Sequence, residues 1–194
     1  MNFRSTVILA PGPSLIVEDV EACRGKANII AVNDAWRLAP WADALYAADP
    51  CWWDHYQGVP DFSGDKWTQS MEAADRWALK YIPCRQRLGL SLDRACIHSG
   101  WNSGYQALNL AVLFGAKRIF LLGFDMQEAI DKAHFFGNHP EALQKRSTYS
   151  AFIRAFETTT PDLKRAGCAV INCTRQSALS CFPKRSIEEE ILMV

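Results

Sequence analysis

The sequence predicts an α/β protein, a Rossmann-like three-layer sandwich on a mostly parallel sheet, with a lid or insertion around residues 57–94. Short β-branched or apolar runs alternate with segments of helical periodicity, the pattern of successive βαβ units. Each apolar run closes in a turn rich in Gly, Asn, Asp or Pro. At 194 residues, 49% hydrophobic and 22% charged, the chain has the size and composition of one domain, 1–194, with a sizeable core.

The expected strands are Thr6 to Ala10, Asn28 to Val32, Ala44 to Ala47, Arg118 to Leu122 and Ala169 to Asn172. The clearest helix runs from Ser103 to Phe114, with Tyr105, Leu108, Ala111 and Val112 as its buried stripe. Asn102 or Ser103 caps its start, and Gly115 sits where a left-handed residue ends a helix. A second helix spans about Leu143 to Ala166, broken near Pro161 and closed by Gly167. The last, about Ser186 to Leu192, packs against the sheet or projects into a subunit contact. Gln57 to Arg94 has the least regular pattern, mixing Gly, Pro, Asp and Trp around a helix near Ser70 to Lys80.

Composition narrows the function classes. Lys plus Arg and Asp plus Glu both number 21, so net charge is zero and the footprint of a nucleic-acid binder is missing. No apolar run approaches the roughly 20 residues of a membrane span, and the first apolar segment is too short for a signal peptide, so a cytoplasmic protein is expected. The 7 cysteines are scattered without a Cys-x-x-Cys pair and read as buried thiols, with no metal site.

In open parallel sheets ligands bind beyond the carboxyl ends of the strands, where the polar turns of this sequence collect. The first turn, Ala10-Pro11-Gly12-Pro13-Ser14, offers Gly12 for close backbone approach and Ser14 as a helix cap. It is neither a three-glycine dinucleotide fingerprint nor a Walker loop. Asn33 ends the second strand with both a donor and an acceptor, suited to a base edge or ribose. Asp49 ends the third, where it also stands to cap a helix begun by Pro50.

The strongest local signal is His98-Ser99-Gly100-Trp101-Asn102-Ser103-Gly104-Tyr105. Amides of Ser103, Gly104 and Tyr105 at a helix start form an anion site, with the Ser103 hydroxyl as a further donor. Capping accounts for Asn102 but leaves Gly104 unexplained, since glycine early in a helix costs roughly 1 kcal/mol against alanine. A side chain at 104 is therefore expected to block a ligand while sparing the fold. Asp125, at the end of the Gly123-Phe124-Asp125 strand, is a candidate to bind a hydroxyl, hold a metal or orient a histidine. His134 and His139 follow, and either has the titration range of a general base.

Taken in order, these turns resemble the bacterial sialyltransferases of glycosyltransferase family forty-two and their relatives of unassigned function, many encoded by phages and prophages. The resemblance rests on Gly12-Pro13-Ser14-Leu15, Asn33, Asp49-Pro50, Ser103-Gly104 with Gly115, and Gly123-Phe124-Asp125. A His-aromatic-x-Gly-His stretch matches His134 to His139 with one extra residue, and Ser-x-Leu-x-x-Phe matches Ser177 to Phe182. It implies a nucleotide or nucleotide-sugar donor, such as a CMP-linked one, held by Asn33, Asp49, Ser103 and Gly104; Gly12, Pro13, Ser14 and Asn102, from the same turns, complete the expected nucleotide site. His139 is the implied base, with His134 as competitor and Asp125 beside them. For the family's tyrosine pair only Tyr149 offers itself. Pro11 and Asp49 stand where the family has Asn, and a carboxylate beside phosphate repels it unless a cation or proton intervenes.

The same turns are similar to those of the pterin diphosphokinase-like group, which implies magnesium on Asp49 and Asp125 and transfer from a triphosphate. A non-catalytic nucleotide-binding protein is the third class. Under every reading the partner is a small nucleotide ligand, with self-association into a homo-oligomer a further expectation.

Overall fold

In the computed structural model, residues 5–127, 134–137 and 148–192 are described. The strands are β1 (Ser5–Leu9), β2 (Asn28–Val32), β3 (Ala44–Tyr46), β4 (Asp65–Thr68), β5 (Lys80–Tyr81), β6 (Cys84–Arg85), β7 (Ile97–His98), β8 (Arg118–Leu122) and β9 (Ala169–Asn172). The helices are α1 (Val17–Ala22), α2 (Pro50–His55), α3 (Met71–Trp77), α4 (Ser103–Leu113), α5 (Tyr149–Glu157), α6 (Thr160–Ala166) and α7 (Ile187–Ile191). A 7-stranded sheet in the order β5-β4-β3-β2-β1-β8-β9 forms the middle layer, with every pairing parallel.

Both faces of the sheet are buried, so its central strands read as continuous apolar runs. Alternation divides them between two cores. Ile8, Ile30, Val32, Tyr46, Ile119 and Leu121 meet α4, α5 and α6 on one face. Val7, Leu9, Ile29, Leu45, Phe120 and Leu122 meet α1, α2, α3 and α7 on the other. The last helix thus packs into the core through Ile187 and Ile191.

The segment expected as an insertion or lid lengthens the sheet. β4 and β5 add to it beyond β3, with α3 between them, capped by the Ser70 hydroxyl on the Ala73 amide at 3.2 Å. The remainder runs into β6 and β7, a separate two-stranded pair. The second long helix is two, since α5 ends at Glu157 and Pro161 opens α6; its expected first residues lie outside the described ones. Ser14 caps nothing, because α1 begins later and its N-cap position is Ile16.

β1 is the pivot. From it the chain moves outward through β2 and β3, then returns to place β8 on its other side. Such a reversal opens a crevice at the carboxyl ends of the strands.

Candidate functional site

The turns after β1 and β8 are knitted together across this crevice. The Gly12 amide donates to the Gly123 carbonyl at 3.0 Å, and the Ser14 amide to Asp125 Oδ1 at 3.0 Å. A Cβ on Gly12 would run into the Asp125 carboxylate and the Gly123 carbonyl, so only glycine fits this approach. Asp125 is buried, and it holds the first turn whatever else it does. The Ser14 hydroxyl is buried and has no hydrogen-bond partner among the described residues. Behind this turn, Ser177 explains the Ser-x-Leu-x-x-Phe motif structurally. Its hydroxyl donates to the Phe124 carbonyl at 2.6 Å, and Leu179 and Phe182 are buried in the core.

At the end of β2, Asn33 has a φ of +48°, a left-handed conformation that Asn tolerates better than most residues. The next residue, Asp34, is fully buried, and its carboxylate accepts from Trp52 Nε1 at 3.0 Å and from the Tyr56 hydroxyl. Burial and that carboxylate push the Tyr56 phenol far up, so it stays a donor. Asp49 occupies the N-cap position of α2, but its side chain makes no capping hydrogen bond. The expected cap is absent, and Pro50 alone starts the helix.

α4 is capped by Asn102, whose Oδ1 accepts from the Tyr105 amide at 3.0 Å. That bond corrects the expected anion site, for the Tyr105 amide is already used. Ser103 and Gly104 remain as the first-turn amides that point out of a helix. Gly104 also has a packing reason the sequence could not reveal: a Cβ there would lie 2.7 Å from Phe124 Cε1. A side chain at 104 therefore disturbs the core, contrary to the expectation that it would spare the fold.

Residues 134–137 form a short turn, with the His134 amide on the Gly137 carbonyl at 3.0 Å and the reverse bond also at 3.0 Å. The Phe135 amide donates to the Pro11 carbonyl at 3.2 Å, tying this turn to the first one. His134 stacks on Phe136 with ring centroids 5.1 Å apart and planes 9° from parallel. His139 lies outside the described residues.

These pieces enclose a cleft of about 240 Å³. Gly12, Pro13, Asn33, Asp49, Asn102, Ser103, Gly104, Asp125 and His134 all line it, and Ser14 does not. Tyr149 lines it too, together with residues that sequence reasoning passed over: Cys51, Trp52, Trp101, Met126 and Phe152. Asn33, Trp101 and Met126 are non-glycine residues at φ of +48°, +55° and +52°, a concentration of strained backbone typical of ligand sites. Among the described lining residues the charged side chains are the carboxylates Asp49 and Asp125, with no Lys or Arg. Cys51 corrects the expectation of buried thiols, for it is exposed, while Cys84 and Cys181 are half-buried. No group of three or more His, Cys, Asp or Glu among the described residues is arranged to hold a metal ion, and no helix there is long and apolar enough to cross a membrane.

The fold is similar to that of the sialyltransferase CstII from Campylobacter jejuni, solved in complex with a substrate analogue, cytidine-5′-monophosphate. The match has a TM-score of 0.62 over 95% of this chain and 85% of that one, at 12% sequence identity. That likeness is one of fold. No protein-family model matches the chain, and no curated protein matches it in sequence.

Proposed function

We propose that this protein is a nucleotide-sugar-dependent transferase of the glycosyltransferase type, holding the nucleotide in the cleft at the carboxyl ends of β1, β2, β3 and β8. The observation that carries the reading is convergence. Asn33, Asp49 and the Ser103–Gly104 amides leave three different turns and line one cleft at the strand-order reversal. The amides at the start of α4 suit phosphate, and Asn33 suits a base edge or ribose. The likeness to a fold solved with cytidine-5′-monophosphate supports a CMP-linked donor.

In the transfer, an acceptor hydroxyl attacks the sugar carbon bonded to phosphate while His139 or His134 takes its proton. The carbon–oxygen bond to phosphate breaks, and the nucleotide leaves with the electron pair toward the Ser103 helix start. Asp125 keeps the first turn in place beneath the phosphate.

A second reading is favoured by Asp49 and Asp125 lining the same cleft. Two carboxylates repel a nucleotide phosphate, but they suit magnesium, which takes one or two carboxylates with phosphate oxygens. Asp49 and Asp125 would hold the ion, which neutralises phosphate charge in a diphosphokinase-like transfer. Calorimetry with CMP, UMP, ATP and their sugar conjugates, with and without magnesium, tests both readings. Submillimolar binding of a cytidine or uridine ligand without magnesium supports the first, and strictly magnesium-dependent ATP binding the second. No binding under any condition removes both.

A further inference from the structure

We propose that Trp101 is the platform for the cyclic group that the donor carries, a sugar ring whose C–H face lies on the indole at the mouth of the cleft. This rests on the reading that the cleft holds a nucleotide-linked donor.

Trp101 lines the cleft and is yet 59% exposed. Its φ of +55° is one that bulky side chains avoid. The turn around it is pinned: its amide donates to the Ser99 hydroxyl at 3.1 Å, and the Asn102 amide to the Ser99 carbonyl at 3.3 Å. Gly100 before it, at φ +47°, has no room for a side chain, because a Cβ would enter the Tyr105 ring. Backbone strain and a large apolar ring left in water both cost stability, and core packing accounts for neither. A ligand that covers the indole does.

Depth decides which part of the ligand that is. The inner wall, with Val32 and Phe124 at 1% and Trp52 at 4% exposure, is apolar and enclosed, and suits a flat base. The phosphate site at Ser103 and Gly104 lies next along the chain from Trp101. The group to be transferred must meet an acceptor arriving from solvent, so it belongs at the mouth, over the indole.

Calorimetry with two pairs of probes, CMP with CMP-sialic acid and UDP with UDP-glucose, tests this on wild type, W101G, W101L and W101F. W101G relieves the backbone strain and should melt no lower than wild type; W101L keeps the strain and removes only the aromatic face. Both should weaken a bound conjugate roughly three- to tenfold, the scale of one aromatic contact, and leave the parent nucleotide unchanged. W101F should stay near wild type. Unchanged conjugate affinity overturns the proposal while leaving nucleotide binding standing. So does an equal loss for nucleotide and conjugate, which assigns the indole to the base, or a wild type that gains nothing from the attached sugar. A wild type that binds none of the probes removes the underlying reading, and this proposal with it.

Discussion

Trp52 Nε1 donates to Asp34 Oδ2 at 3.0 Å, joining the residue after Asn33 to the helix that Asp49 precedes. The turns after β2 and β3 are thereby held as one unit, with the Tyr56 hydroxyl as a second donor to the same carboxylate. Asp34→Ala would leave the buried Trp52 indole N–H and the half-buried Tyr56 hydroxyl without this acceptor, at a cost of about 1–3 kcal/mol. Urea denaturation reads that loss. Nucleotide affinity should fall as well, because Asn33 loses the neighbour that fixes its left-handed backbone.

Gly104→Ala should lower stability by about 1–3 kcal/mol, since the new methyl overlaps the edge of Phe124. Phe124 has little room to yield, being packed edge-on to Phe156 with centroids 5.9 Å apart. Thermal denaturation measures the effect. A substitution as stable as wild type would show that Phe124 gives way.

How far the sequence was legible follows from where each residue sits. β2 and β8 were read to the residue, because buried strands between turn residues leave a plain apolar run. β4 and β5 escaped, since toward the sheet edge Asp65, Lys66 and Trp67 are only half-buried and Lys80 and Tyr81 are exposed, so neither strand leaves a plain apolar run. The turns of the site were visible as strand ends. The fit of Gly104 against Phe124 was not, because it is a contact between distant parts of the chain. Nor was the role of Trp101, which depends on a dihedral angle and on exposure.

Thiol labelling should distinguish the cysteines. Cys51, exposed in the cleft, should react first with a disulfide reagent at pH 8, and bound nucleotide should protect it. Burial pushes Cys23 and Cys173 up to about 12 and Cys168 to about 11, from an ordinary 9.0. With folded values raised, their contribution to stability is full below pH 9.0 and declines as pH rises through about 11 to 12. Melting temperature measured from pH 7 upward should therefore begin to fall above pH 9.

Loss of the general base should separate rate from binding. Replacing the responsible histidine, His139 or His134, with alanine should lower turnover about 10²–10⁴-fold while nucleotide affinity barely moves. Steady-state kinetics of both single variants identifies which one acts. Full turnover in both would leave the transfer without a histidine base and overturn that assignment.

In the proposed complex, phosphate sits on the first-turn amides of α4. Amide chemical shifts measured by two-dimensional NMR during titration with CMP, or with whichever nucleotide calorimetry shows to bind, test it most directly. The largest amide-proton shifts are expected at Ser103 and Gly104, with a smaller response at Asn33 and little change at Tyr105, whose amide stays bonded to Asn102. Saturable binding that leaves Ser103 and Gly104 unmoved, or that maps to the opposite end of the strands, would contradict it.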